Sequence, residues 1–154
     1  VEGDEEETHD AYDLVHASAD QPVVNFVNYL LTESVRRGAS DIHIEPFENN
    51  LRVRFRIDGE LLAIVSPPKR LHTPVVSRIK VMSGMDISKR RIPQDGHLAV
   101  RHHGQVLHYR VSTLPTVYGE SVSKMIEASH EFHAGKVPAT AAAASLPEAD
   151  RPPF

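Results

Sequence analysis

The sequence predicts an α+β domain in which two main helices pack on a mostly antiparallel sheet. Three observations carry this expectation: two segments place apolar residues at helical spacing, several runs alternate between apolar and charged residues, and Gly-containing turns join those runs in pairs. The expected order is α-β-β-β-α-β-β-β.

The first helix is expected over about 22–37. Asp20 can cap it, Pro22 suits its first turn, and Val23, Val24, Phe26, Val27, Leu30, Leu31 and Val35 form its apolar stripe. Gly38 can take positive φ and stop it. Asp41-Ile42-His43-Ile44-Glu45 alternates up to Pro46 and reads as a short strand. The clearest strand follows the turn at Glu48-Asn49-Asn50. Leu51, Val53, Phe55 and Ile57 share one face, and Arg52, Arg54 and Arg56 share the other. Asp58-Gly59 signals a hairpin, with residues 60–65 returning as its partner.

Pro67-Pro68 breaks the sheet. Leu71, Val75, Val76, Ile79 and Met82 then have helical spacing, with Pro74 in the first turn and Gly84 at the end. Residues 86–95 are polar and basic and read as a long loop. Residues 97–101 and 106–113 alternate around His102-His103-Gly104-Gln105, a second hairpin, and a last strand covers about 120–126.

The chain has 154 residues, of which 40% are hydrophobic and 25% charged, enough for one packed domain. There is no cysteine, which excludes disulfides, thiolate metal sites and a cysteine nucleophile. No apolar run approaches the roughly 18–20 residues that span a bilayer, and no basic-then-apolar leader opens the sequence. The formal charge of -4 hides an asymmetry. Residues 1–35 contain acids and no Lys or Arg, with the run Asp4-Glu5-Glu6-Glu7, whereas 36–110 is basic. A basic middle can meet phosphate, an acidic partner or the chain's own acidic arm. The expected organisation is an acidic mobile arm over 1–19, a folded unit over 20–127 and an Ala/Pro-rich mobile tail over 128–154.

The Arg52-Arg54-Arg56 row is costly unless compensated, because like charges on one strand face repel. Asp41, His43, Glu45 and Asp58 could compensate it from neighbouring strands, or the row could receive phosphate oxygens, which guanidinium binds in bidentate fashion. Composition leaves both readings open. Other chemistry is weaker. The ten histidines offer the pairs His102-His103 and His130/His133, neither with a clear second pair, so no metal site is expected. Ser121-Val122-Ser123-Lys124 has serine–lysine spacing but falls on an expected strand, not on a helix start in a pocket. With 6% aromatic residues, no stacking platform accompanies the arginines, and no nucleic-acid partner is expected.

Six segments in order carry a resemblance. They are Gly38-Ala39-Ser40-Asp41-Ile42-His43-Ile44-Glu45-Pro46, Arg54-Phe55-Arg56-Ile57-Asp58-Gly59 and Ser77-Arg78-Ile79-Lys80-Val81-Met82. Asp86-Ile87 with Arg91-Ile92-Pro93-Gln94-Asp95-Gly96, Arg110-Val111-Ser112-Thr113-Leu114-Pro115-Thr116 and Gly119-Glu120 complete the set. Together they resemble the domain that precedes the motor core in the type II secretion and type IV pilus assembly ATPases, the secretion protein E type. The likeness runs over about 22–126.

That resemblance implies a PAS-like, three-layer arrangement and a non-catalytic module for nucleotide sensing and subunit assembly. It implies that Arg56 and Arg78, then Arg54, Arg91 and Arg110, face the phosphates of an ATP site completed by a motor core. It also implies that Asp41, His43 and Glu45 lie at a subunit contact. A positioned guanidinium would offset charge developing on the transferred phosphoryl group.

The sequence has no Gly-x-x-x-x-Gly-Lys-Ser/Thr run to cradle phosphates. The chain alone is therefore expected not to hydrolyse ATP and to need no cofactor, with ATP and Mg entering only when a motor core completes the site. The expected partners are motor subunits or other secretion components. The expected location is cytoplasmic, touching the inner membrane only through that machinery, and the chain alone is expected to be a monomer or weak dimer. Two rival readings are a fragment of an active ATPase whose motor lies elsewhere, and a free-standing scaffold or adaptor domain.

Overall fold

A computed structural model describes residues 18–127 and 144–145. Helix α1 (Gln21–Arg36) has Pro22 in its first turn, where no amide donor is needed. Asp20 occupies the cap position through its backbone. Its carbonyl accepts from the Val23 and Val24 amides at 3.0 Å, while its side chain makes no capping bond. Of the expected stripe, Val23, Phe26, Val27, Leu30 and Leu31 are buried, whereas Val24 and Val35, at its flanks, are half-buried. Gly38 at φ 66° turns the chain out of the helix, and the Ala39 amide returns to the Ser34 carbonyl at 2.8 Å.

The sheet contains β1 (Asp41–Pro46), β2 (Leu51–Ile57), β3 (Glu60–Val65), β4 (Gln94–His102), β5 (Gln105–Thr116), β6 (Gly119–Glu127) and the short β7 (Ala144–Ser145). Its order is β3-β2-β1-β6-β5-β4-β7, with β1 and β6 side by side at the centre. Six strands are antiparallel to their neighbours, and β7 runs parallel to β4 through Val100↔Ala144 and Arg101↔Ser145. Asp58 and Gly59, at φ 51° and 81°, close the β2–β3 hairpin, and His103 and Gly104, at 46° and 74°, close the β4–β5 hairpin. Both turns have paired positive φ values, which match the twist of antiparallel strands. The His102 and His103 rings meet nearly edge-on, with centroids 4.1 Å apart.

Helix α2 (His72–Met82) follows a single 3-10 turn over Lys69–Leu71. Its Val75, Val76 and Ile79 join the α1 stripe and Ile42, Ile44, Val53, Phe55, Leu98, Val100, Tyr109, Val111 and Val122 in one core. Period-2 alternation sends the other strand residues to the opposite sheet face. The described residues thus form two layers, helices over sheet, rather than the three layers that the resemblance implies, because both helices pack into one core on the same sheet face. The second face carries the charged side chains.

Two boundaries move from their sequence-based positions. Strand β4 starts at Gln94 rather than at His97. The Gln94 side chain donates to the Asp86 and Lys89 carbonyls at 2.9 and 3.0 Å and accepts from the Asp86 amide at 3.0 Å. One side chain thereby secures the connection before the strand. Strand β5 extends to Thr116 because Leu114, Pro115 and Thr116 pair with Ser121, Glu120 and Gly119 around a tight turn at Val117-Tyr118. The acidic arm and most of the tail fall outside the described residues.

Gly96 on β4 sits against the end of α2. A Cβ there would lie 2.5 Å from the Ser83 carbonyl oxygen. Because the obstacle is backbone, Gly96→Ala should destabilise the chain by about 2 kcal/mol, read as a lower urea midpoint with unchanged slope.

Candidate functional site: a charged sheet face and a basic cleft

The first surface is the open face of the sheet. Antiparallel register sets Asp41 opposite Arg56, His43 opposite Arg54 and Glu45 opposite Arg52. Arg56 Nε lies 3.2 Å from Asp41 Oδ2, and Arg56 Nη1 donates to the Gly59 carbonyl at 3.0 Å. Arg54 pairs diagonally with Glu45, whose other oxygen is 3.5 Å from Arg52 Nη2. The Arg52 guanidinium also lies over the Phe47 ring, 4.5 Å from its centroid. The alternation that puts three guanidiniums on one face therefore puts acids from β1 beside them.

Polar contacts continue across the sheet. His43 Nδ1 and Ser123 Oγ are 3.1 Å apart, and Ser112 Oγ donates to Asp95 Oδ1 at 2.6 Å. The register aligns Arg54, His43, Ser123, Ser112 and Asp95 in one row over five strands. Burial lowers the His43 pKa. Asp41 and Glu45 pull it back up, against the Arg54 and Arg56 charges, but burial is the largest effect and the net shift is downward. Burial pushes the Glu45 carboxyl up, but the Arg54 hydrogen bond and the two arginine charges outweigh it and hold it below its ordinary value.

The second surface is a cleft of about 510 Å³ between the start of α2, the 87–91 segment and the β5–β6 hairpin. Lys69, Arg70, Lys80, Arg90 and Arg91 line it, with Glu120 as its carboxylate. Lys69 Nζ donates to the Phe47 carbonyl and, at 2.9 Å, to the Tyr118 carbonyl, so it fixes the hairpin. Lys80 Nζ lies 2.6 Å from Glu120 Oε1, with both side chains buried, and donates to the Lys89 carbonyl at 2.8 Å. His72 Nε2 donates to the Glu120 carbonyl at 2.7 Å, and burial holds the His72 pKa down. Glu120 Oε2 is buried without a hydrogen-bond partner. Arg70 and Arg91 are exposed, and no ion pair holds either among the described residues.

The arginines singled out from the sequence lie in three places. Arg54 and Arg56 share the open sheet face with Arg110, which stands three strands from Arg56 in the row Arg56, Asp41, Met125, Arg110. At about 4.8 Å per strand that separation is roughly 14 Å. Arg78 belongs to the helix layer, across the sheet from Arg56, and its Nε is buried without a partner. Arg91 lies in the cleft. Asp41, His43 and Glu45 are gathered with Arg54 and Arg56. Ser121 faces the open side and Lys124 the core, so the serine–lysine spacing does not bring the two side chains together.

The cleft itself escaped the sequence reading. Its signal was two basic pairs, Lys69-Arg70 and Arg90-Arg91, on either side of α2. Only the packing of that helix shows that they converge. Lys124 also escaped notice. It lies between Ile42 and Val111 in the register, fully buried, with Nζ unpartnered and its pKa brought down to about 7 by burial.

The fold defines the class, an α+β domain of two helices on a mostly antiparallel sheet, with its charge laid out on two surfaces. Residues 16–135 match the family described as Type II/IV secretion system protein, and the chain belongs to that family. It is 49% identical over 117 residues to Type II secretion system protein E of Klebsiella pneumoniae, covering 76% of this chain and 24% of that protein. It is 43% identical over 123 residues to the Type IV pilus assembly ATPase PilB of Myxococcus xanthus, covering 79% of this chain and 22% of that one. The chain thus spans about a quarter of the length of these relatives. A crystal structure of the pilus retraction motor PilT with bound ADP superposes on 64% of the chain and 28% of its own, at a TM-score of 0.43 and 16% identity, too slight a likeness to bear on function. No helix among the described residues is long and apolar enough to cross a membrane.

Proposed function

We propose that this chain is a non-catalytic nucleotide-sensing and assembly module of a type II secretion or type IV pilus ATPase, supplying arginines to an ATP site that a motor core completes. The supporting observation is the match to a quarter-length part of proteins described as secretion protein E and a pilus assembly ATPase. The local geometry suits the role. Asp41 and the Gly59 carbonyl hold Arg56 Nε and Nη1, leaving Nη2 uncommitted on a rigid strand, and Arg78 retains an unpartnered Nε. A guanidinium held as that of Arg56 is loses little freedom when a phosphate arrives. ATP and Mg belong to the completed site, and the partners are motor subunits or other secretion components on the cytoplasmic side.

Co-purification of the full chain with a family motor subunit tests this reading. ATP should strengthen the association about tenfold, and Arg56→Ala with Arg78→Ala should abolish that increment. Unchanged, nucleotide-independent association of the double variant would instead favour the scaffold reading, to which the ion pairs of Arg54 and Arg56 lend support. The quarter-length match equally suits a piece of an active ATPase, and a P-loop in the downstream reading frame would establish that.

A further inference from the structure

We infer that the basic cleft between α2 and the β5–β6 hairpin is a docking site for an acidic peptide, and that its occupant is the chain's own segment 2–7. This goes beyond the nucleotide role and does not depend on it. The cleft sets Lys69, Arg70, Lys80, Arg90 and Arg91 against the single carboxylate of Glu120. Lys69 and Lys80 are committed to holding the walls. Arg70 and Arg91 are exposed at the cleft with no ion pair among the described residues, and two such guanidiniums suit carboxylates.

The second observation is Glu120 Oε2. The residue is 6% exposed and lines the cleft, yet this oxygen accepts no hydrogen bond. A buried carboxylate oxygen calls for a donor. A simple polyanion carries charge without donors, whereas an extended acidic peptide brings both: its side chains meet the arginines and a main-chain N–H meets Glu120.

The chain supplies such a peptide. Residues 1–13 contain seven acids, Glu2, Asp4, Glu5, Glu6, Glu7, Asp10 and Asp13, and no Lys or Arg. From Asp20 back to Glu7 the chain can span roughly 45 Å. A folded unit of this size has a radius of gyration of about 13 Å, so the segment reaches most of its surface. Tethering at short range gives an effective concentration on the order of millimolar, so a weak contact suffices. The open sheet face is the lesser competitor, since Arg52, Arg54 and Arg56 already have carboxylate partners there and Arg110, without an ion pair among the described residues, stands alone roughly 14 Å from Arg56.

The absence of cysteine allows a direct experiment on the full chain. A nitroxide attached at Glu5→Cys should broaden the Arg91, Tyr118 and Gly119 amide signals to less than half their intensity at low salt. The broadening should vanish in 0.5 M NaCl, where screening acts within about 4 Å. It should also vanish in Arg70→Ala with Arg91→Ala. Both are exposed positions, and preserved spectral dispersion verifies the fold of that variant. Intact cleft signals, broadening centred on Arg54 and Arg56, or broadening that survives the double substitution would overturn the proposal. So would broadening that appears only between labelled and unlabelled copies, because the occupant would then be another molecule's arm.

Discussion

Replacing Lys124 by Met should stabilise the chain by about 3–5 kcal/mol at pH 7, and the gain should shrink at higher pH. Lys124 is fully exposed to water when the chain unfolds and fully buried when it folds, with Nζ unpartnered. Burial lowers its pKa from 10.5 to about 7, so at pH 7 and below folding must either deprotonate the amine or bury a charge. A shift of that size corresponds to roughly 5 kcal/mol. Met has a similar length and no charge to desolvate, so it removes the penalty without opening a cavity.

The sign follows from proton counting. Between pH 7 and 10.5 the unfolded chain binds the proton that the folded chain has lost, so stability rises with pH across that window. Wild type should gain about 2 kcal/mol between pH 7 and pH 9, whereas Lys124→Met should be nearly flat. Burial also lowers the His43 and His72 pKa values, but these groups act on the acid side, where stability falls as pH drops through 6.5. Burial raises the Tyr109 pKa above 10, which costs stability above that pH and sets the useful upper limit. Urea titrations at pH 7 and pH 9 decide the matter, and equal slopes of stability with pH in the two proteins would contradict it.

Lys80→Ala should have the opposite effect, a loss of about 3–5 kcal/mol. The Lys80 side chain is 1% exposed and that of Glu120 8%, and they meet at 2.6 Å. Removing the lysine leaves a buried carboxylate with neither charge partner nor donor, and also frees the Lys89 carbonyl. A second variant isolates the pair: Lys80→Met with Glu120→Leu should recover at least half of the loss, because neither charge then remains to be desolvated. Thermal unfolding of the two single variants and the double variant measures the coupling. A double variant as unstable as Lys80→Ala would show that packing, not charge, holds this end of α2.

Most of the fold was legible because its local signals agree. Alternation over Leu51, Val53 and Phe55 gives both a strand and its buried face, and Asp58-Gly59 permits little but a hairpin. The start of β4 was not legible. Gln94 looks like one more polar loop residue until its amide is seen tying Asp86 and Lys89 together. The compensation of the arginine row was half legible. The acids at Asp41 and Glu45 are visible as residues, but which arginine each meets depends on cross-strand register and on a diagonal from Glu45 to Arg54. Lys124 was legible in principle, since alternation from Val122 points it inward. A charged residue is ordinarily read as solvent-facing, and nothing local announces that the rule fails there.

The reciprocal pairing of β1 and β2 also constrains inheritance. A chain that lost Asp41 or Glu45 would keep guanidiniums that repel along β2, and one that lost Arg54 or Arg56 would strand an anion on β1. Drift at these sites should proceed by couplets, one strand answering the other, while the neighbouring outward residues on β3 change independently.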